Sequence, residues 1–225
     1  MNAADIVLKT IPLLYEDQYY VVFDKPPGLL VIPTPANEKR TLVNLVNLEY
    51  GDPQNCRLHP CHRLDRDTSG AIIFAKGKKN QQLMMQEFHR QRIKKKYIAF
   101  IHGKLQNLLG EISGWDEQGQ RYSPGKARSK TAVTQYRILE TRKSYSILEV
   151  FPLTGRTNQI RVHFSRIGHP LVGERKFAFP RDFTLKFRRP ALHASEVKFE
   201  HPVLHKPVKV ESALPKDMEE FLAKN

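Results

Sequence analysis

His62-Arg63-Leu64-Asp65-Arg66-Asp67-Thr68-Ser69-Gly70 runs directly into Ala71-Ile72-Ile73-Phe74-Ala75. The second half is an unbroken apolar run of strand length, the mark of a core strand. The first half is an odd lead-in to one, because it crowds charges and two hydroxyls into a single loop. A loop that ends at a buried strand holds its polar side chains at the rim of a sheet, where the scaffold is rigid and a ligand can reach them. Alone, the segment reads equally well as an Asp-Thr-Ser-Gly turn flanked by solvated charges.

Outward from this strand, further β-rich runs bounded by turn residues cover Tyr19 to Phe23, Leu29 to Ile32, Tyr97 to His102, Ala132 to Leu139, Tyr145 to Phe151, Leu192 to Phe199 and Val208 to Val210. Helical spacing is rarer. Thr41 can cap a helix through Tyr50, Lys79 to Arg92 reads as a second, about Asn158 to Arg166 as a third with Gly168 as its stop, and a last one follows Pro215. Strands outnumber helices and do not alternate with them regularly. That predicts an α+β fold with a mainly antiparallel, mixed sheet flanked by helices and loops. Residues 104 to 130, rich in glycine and poor in apolar positions, predict a long excursion from the sheet.

The chain has 225 residues, 40% of them hydrophobic and 27% charged, ordinary globular usage that argues against a disordered or disulfide-scaffold protein. No Pro-rich or Gly/Ser-rich linker divides it, so residues 1–225 are expected to form a single domain. Lys and Arg number 37 against 23 Asp and Glu, a net charge of +14, with a pI near 9.8. That excess repels itself unless a polyanion relieves it. The charge is spread over many segments rather than gathered on one amphipathic helix, which favours nucleic acid over a membrane surface. No apolar run reaches the roughly 18 residues that a membrane span needs. The two cysteines, Cys56 and Cys61, cannot build a zinc site alone, and so few thiols fit a reducing, cytoplasmic setting.

His62-Arg63-Leu64-Asp65 with Thr68-Ser69-Gly70 resembles the signature of the RluA family of pseudouridine synthases, and further pieces follow in the family's order. Asp24-Lys25-Pro26-Pro27-Gly28-Leu29 is similar to its first motif, Lys96-Tyr97-Ile98-Ala99 with Gly103 to its tyrosine motif, and Thr154-Gly155-Arg156-Thr157-Asn158-Gln159-Ile160-Arg161-Val162-His163 to its arginine motif. Gly168-His169-Pro170-Leu171 with Gly173, and Leu192-His193-Ala194, complete a resemblance that covers roughly residues 13 to 215. It implies a pseudouridine synthase fold and conversion of uridine to pseudouridine within an RNA chain, tRNA or rRNA, without cofactor or metal. The N1–C1′ bond breaks, the uracil turns in place, and C5 rebonds to C1′.

The resemblance further implies that Asp65 is the reacting carboxylate, either a nucleophile at C1′ or a base toward the 2′ hydrogen. It implies that Arg161 pairs with Asp65 and keeps it ionised and oriented. Tyr97 is expected to stack on the target uracil, and Arg63 to fill the gap left when the nucleotide is flipped out. Lys25, His62, Arg156 and Gln159 carry over with the same motifs as RNA and base-flipping residues. The basic run with Arg90, Arg92, Lys94, Lys95 and Lys96, together with Lys76, Lys78 and Lys79, is the expected phosphate-backbone contact, and Lys186, Arg188 and Arg189 are a candidate second one.

Two departures stand out. Asn158 replaces the histidine more usual in the family. Many relatives also carry an S4-type RNA-binding module ahead of the enzyme domain, yet here the first motif begins by Asp24, so target choice is expected to reside in the enzyme domain, acting as a monomer on a compact stem-loop. The rival reading is an RNA-binding or ribosome-assembly protein that has kept the fold and lost turnover. A pure binder, however, gains little from a buried carboxylate facing an anionic ligand. A metal-dependent hydrolase finds no support in the nine scattered histidines, since neither H-E-x-x-H nor paired-cysteine spacing occurs.

Overall fold

The computed structural model describes residues 11–50, 56–114, 132–178 and 185–225. In chain order these form β1 (Leu13–Glu16), β2 (Tyr20–Lys25), α1 (Leu42–Glu49), β3 (Leu58–Pro60), β4 (Ser69–Lys76), α2 (Lys78–His89), β5 (Lys94–His102), β6 (Leu109–Ser113), β7 (Val133–Thr141), β8 (Tyr145–Pro152), α3 (Gln159–Arg166), β9 (Leu192–Glu200), β10 (Pro207–Glu211) and α4 (Lys216–Lys224). The strands join one mixed sheet in the order β1-β2-β4-β9-β5-β8-β7-β6, with β3 on β4 and β10 on β9. The β4–β9 pairing is parallel and the other named pairings are antiparallel. The α+β reading therefore holds.

Strand period sorts the core into layers. On β4, Ile72 and Phe74 join Phe23, Tyr97, Ala99, Leu148 and Val150 on the face covered by Leu42 and Val46 of α1 and Ile160 and Phe164 of α3. Ala71, Ile73 and Ala75 point the other way, against Met84 of α2 and Val197 and Phe199 of β9. Buried on both faces, β4 shows no polar alternation, hence its continuous apolar run. A third cluster packs Met218 and Phe221 of α4 against Phe100, Tyr145 and Ile147.

Two expectations fail together. Leu29 to Ile32 is not a strand, and Thr41 makes no side-chain capping bond. The carbonyls of Leu30 and Val31 instead accept the Leu42 and Val43 N–H groups at 2.8 and 3.0 Å. The segment caps α1 with its own backbone, satisfying free helix donors that a threonine hydroxyl was expected to take. The excursion expected over 104–130 is partly sheet, since β6 pairs with β7 there; the rest of that expectation, from residue 115 on, lies outside the described residues. The second helix stops at His89, three residues early, because Gln91 adopts a left-handed conformation (φ 58°) and the Arg92 N–H closes on the Glu87 carbonyl at 3.0 Å.

The seam of the sheet is the short parallel contact of Ser69 with His193 and of Gly70 with Ala194. Here the charged loop enters β4. Gly70 has φ 112°, and a Cβ on it would collide with the Ala194 backbone, so no other residue lets the loop approach β9 this closely. Gly70→Ala is expected to cost about 3 kcal/mol, read as a lower denaturant midpoint at unchanged slope. An unshifted midpoint would show that the seam tolerates separation.

Candidate active site

Asp65 sits in the loop whose two following carbonyls are each held by a buried cation. The Lys25 ammonium, at the end of β2 and fully buried, donates to the carbonyls of Pro26, Leu29 and Arg66 at 2.9, 2.8 and 2.9 Å. Burial pulls that ammonium down to about 7; Asp67 and Asp65 oppose the pull and Arg189 adds to it. Arg189 is also buried. It pairs bidentately with Asp217 of α4 at 2.7 and 2.9 Å, and its Nη1 donates to the carbonyls of Asp67, Pro190 and Leu192. The loop closes on itself through the Thr68 N–H and the Asp65 carbonyl at 3.1 Å. At the seam, Ser69 Oγ meets His193 Nδ1 at 3.0 Å while His193 Nε2 lies 3.2 Å from the Ser212 carbonyl. That carbonyl only accepts, so Nε2 carries the proton and Ser69 donates to Nδ1.

The Asp65 side chain is 21% exposed, and its Oδ2 lies 3.8 Å from Arg161 Nη1. It opens on a cleft of about 480 Å³ that is also lined by Arg63, His62, Lys95, Tyr97, Arg156 and Gln159. Burial raises the Asp65 carboxyl above its ordinary 3.8; Arg161, Arg63 and the Asn158 N–H pull it back, and Glu174 pushes it up. Tyr97 is 8% exposed. Burial, and then the nearby Asp65 charge, raise its phenol, so it stays protonated beside the carboxylate. Strand period accounts for its neighbours, because Lys95 and Tyr97 of β5, with Ile93 just before the strand, all face the cleft. On β9, Ser195 is the extra residue of a bulge opposite Lys96 and Tyr97, of the kind that re-aims strands beside sites.

The same alternation divides the basic run. Lys94 and Lys96 fall on the reverse of the strand from Lys95, and Lys96 lies 3.4 and 3.6 Å from Glu149 and Glu196. Burial pulls the Lys95 ammonium down to about 8, and it reaches the Thr154 carbonyl at 3.4 Å. Lys76 pairs with Glu16 at 2.5 Å; Lys78 and Lys79 are exposed at the start of α2. Arg90 and Arg92 flank Glu87 at 2.9 and 3.5 Å. None of these five lines the cleft. Lys186 and Arg188 are exposed.

Four of the expected ligand contacts meet a different geometry. Lys25 and Arg189 point inward to carbonyls rather than outward to RNA. Gln159 spends its amide on Thr154 Oγ1, the Arg156 N–H, the Val133 carbonyl and Thr134 Oγ1, at 2.7 to 3.0 Å, which anchors the turn before α3. His62 accepts the Ile73 N–H at Nε2, 3.0 Å away, with its ring 4.9 Å from that of Phe88. Burial, with Lys95 nearby, takes its imidazole down to about 3, so it is a neutral brace between the loop and β4.

Arg161 pairs with Asp65 as expected, at 3.8 Å, but a second acid holds it more tightly. Its Nε and Nη2 donate to the two oxygens of Glu174 at 2.6 and 2.8 Å, and its Nη1 donates to Asn158 Oδ1 at 2.7 Å. Asp65 receives only the longer approach. Asn158, in a left-handed conformation at φ 52°, thus still serves the site through its amide. Burial would raise the Glu174 carboxyl, but the Arg161 contact and the N–H groups of Lys176 and Phe177 leave it below the usual range. Glu174 was missed by sequence reasoning. The available signal was a lone acid directly after Gly173, within a basic segment that follows the arginine motif.

This cleft can hold one flat polar ring against Tyr97 while Asp65 addresses the atoms attached to it, with cations left at the mouth for a polyanion. Those are the needs of an enzyme that works on a single nucleotide of an RNA chain. Residues 19–166 match the family described as RNA pseudouridylate synthase, and the chain belongs to that family: it is an RNA pseudouridine synthase, an isomerase. It is 34% identical over 217 residues to the uncharacterized RNA pseudouridine synthase YhcT of Bacillus subtilis, covering 92% of this chain and 70% of that one. It is also 34% identical over 243 residues to the ribosomal large subunit pseudouridine synthase D of Xylella fastidiosa, covering 97% and 71%. The fold is similar to that of human RNA pseudouridylate synthase domain containing 4, with a TM-score of 0.77 at 24% identity over 95% of this chain and 92% of that one. No helix among the described residues is long and apolar enough to cross a membrane.

The inward course of Lys25 has a direct test. Lys25→Met strands three carbonyls and is expected to cost about 3 kcal/mol in stability, with the salt slope of RNA binding unchanged. Weaker RNA binding at an unaltered melting temperature would return Lys25 to the RNA surface.

Proposed function

We propose that the target uridine swings into the cleft with its base against Tyr97 and its C1′ facing Asp65, and that Asp65 is the reacting carboxylate. The observation that carries this is that Asp65 and Tyr97 line one cleft of about 480 Å³, a size usual for small-ligand sites, with Arg161 Nη1 3.8 Å from the Asp65 carboxylate. Asp65 acts as an anion, whether it attacks C1′ or takes the 2′ hydrogen. Arg161 orients it without sealing it in a tight ion pair. Tyr97 supplies a face for stacking and a protonated phenol. The detached base stays between that ring and the wall of the cleft while it turns, which puts C5 in place of N1 at C1′; the C5 hydrogen then leaves as a proton and N1 gains one, so the product is an isomer of the uridine.

Arg63 is exposed at the mouth, and its planar guanidinium suits the place of the extruded nucleotide. Extrusion costs a few kcal/mol, which a stacking cation partly offsets. Lys95 and Arg156 are the cleft cations suited to flanking phosphates. The substrate is a uridine in a compact stem-loop, recognised by a cytoplasmic monomer. Relatives named for the large ribosomal subunit favour rRNA over tRNA. An inactive RNA binder is disfavoured because such a protein has no use for a desolvated carboxylate in a cleft that accepts an anionic ligand.

Asp65→Asn is expected to abolish isomerisation while RNA affinity stays within about threefold, a change of no more than about 0.7 kcal/mol. Turnover by that variant would remove Asp65 from the chemistry. Mapping pseudouridines in total cellular RNA with and without the protein identifies the target; a pattern that does not change would refute the substrate assignment. Tyr97→Phe keeps the ring and should lose far less turnover than Tyr97→Ala. Equal losses would shift the role of Tyr97 from stacking to its hydroxyl.

A further inference from the structure

Arg161 divides its guanidinium unequally between two carboxylates. The bidentate edge goes to Glu174 at 2.6 and 2.8 Å, and Asp65 is left at 3.8 Å from Nη1. Glu174 is not a casual partner. Its side chain is fully buried, and its Oε1 also accepts the N–H groups of Arg175, Lys176 and Phe177 at 3.0, 2.8 and 3.3 Å. The guanidinium lies over the Phe177 ring, 5.1 Å from its centroid, so it is held from one side by a bidentate pair and from another by an aromatic face. An arginine locked in this way cannot turn its fork toward Asp65.

We propose that Glu174 is a positioning residue that claims the bidentate edge of Arg161 and so rations the positive charge reaching Asp65, keeping the reacting carboxylate basic. The inference rests on the reading of Asp65 as the reacting group. A carboxylate gripped by a whole guanidinium is a poor base and a poor nucleophile. One that is oriented by a single long contact keeps its reactivity. The groups that face Asp65 are Arg161 from α3, the Asn158 N–H before it, Arg63 from its own loop, Glu174, the Tyr97 phenol from β5 and the Lys25 ammonium from β2. Of these only Glu174 both adds a negative charge and draws away a positive one.

The test is the acid limb of kcat/KM against pH, measured on one RNA with the full chain. Activity needs the Asp65 anion, and burial makes Asp65 hold its proton to higher pH than a free aspartate. Turnover in the wild type should therefore rise through an inflection above 3.8. Glu174→Gln removes the competing charge and releases Arg161 toward Asp65, so the limb should move to lower pH by about one unit. Glu174→Asp keeps the charge, and its limb should stay near that of the wild type. A Glu174→Gln limb that stays in place or moves upward overturns the proposal. Should that variant fail to fold, carboxyl carbon-13 NMR of the wild type decides instead. Glu174 is expected to titrate below its ordinary 4.5 and Asp65 above its ordinary 3.8; a Glu174 at or above 4.5, or an Asp65 at or below 3.8, overturns the proposal. Those two titrations hold or fail whatever Asp65→Asn does to turnover, so failure of the underlying reading is seen separately.

Discussion

Two buried cations hold the loop that carries Asp65. Lys25 takes the Arg66 carbonyl and Arg189 the Asp67 carbonyl, so the residues just after the carboxylate have no freedom to drift. Each cation is expensive to bury, and each is retained because it satisfies several carbonyls at once. Lys25 ties the turn after β2 to the loop, and Arg189 ties α4 and the start of β9 to it. The carboxylate is thus fixed from both sides of the seam at which β4 and β9 meet.

The rest of the site follows from that seam. The bulge at Ser195 and the period of β5 bring Tyr97 and Lys95 to the same cleft. The turn before α3 is braced by the four contacts of Gln159 and delivers Asn158 and Arg161. Backbone carbonyls, a bulge and two acid–guanidinium pairs therefore supply what the proposed chemistry needs: an oriented anion and an aromatic face. The relatives similar to this chain are RNA pseudouridine synthases by name, and Asp65, Tyr97 and Arg161 themselves lie in motifs that the sequence marks plainly.

Much of this was legible beforehand. The continuous apolar run at Ala71 to Ala75 and the shorter runs around it mark a strand-rich α+β fold, and the ordered motifs single out Asp65, Tyr97, Arg63 and Arg161. Edge elements were less legible. β1, β3 and β6 are short, and part of what defines them is pairing rather than composition. Leu29 to Ile32 has strand composition but spends its carbonyls on a helix end. Lys25, Gln159 and Arg189 were read as ligand contacts because a long polar side chain carries no sign of which way it points.

Residue type and order by themselves determined the fold class and the family, and they singled out Asp65, Tyr97 and Arg161 as the candidate carboxylate, aromatic and guanidinium. Those depend on local periodicity and on spacing along the chain, which a linear string records. Only the tertiary structure decided which carboxylate holds Arg161 tightly, which lysine of the basic run enters the cleft, and which cations serve the loop instead of the ligand. Hydrogen bonds and ion pairs depend on ångström distances between residues far apart in the chain, such as Lys25 and Arg66 or Arg189 and Asp217, and those distances exist only once the sheet has closed around its seam.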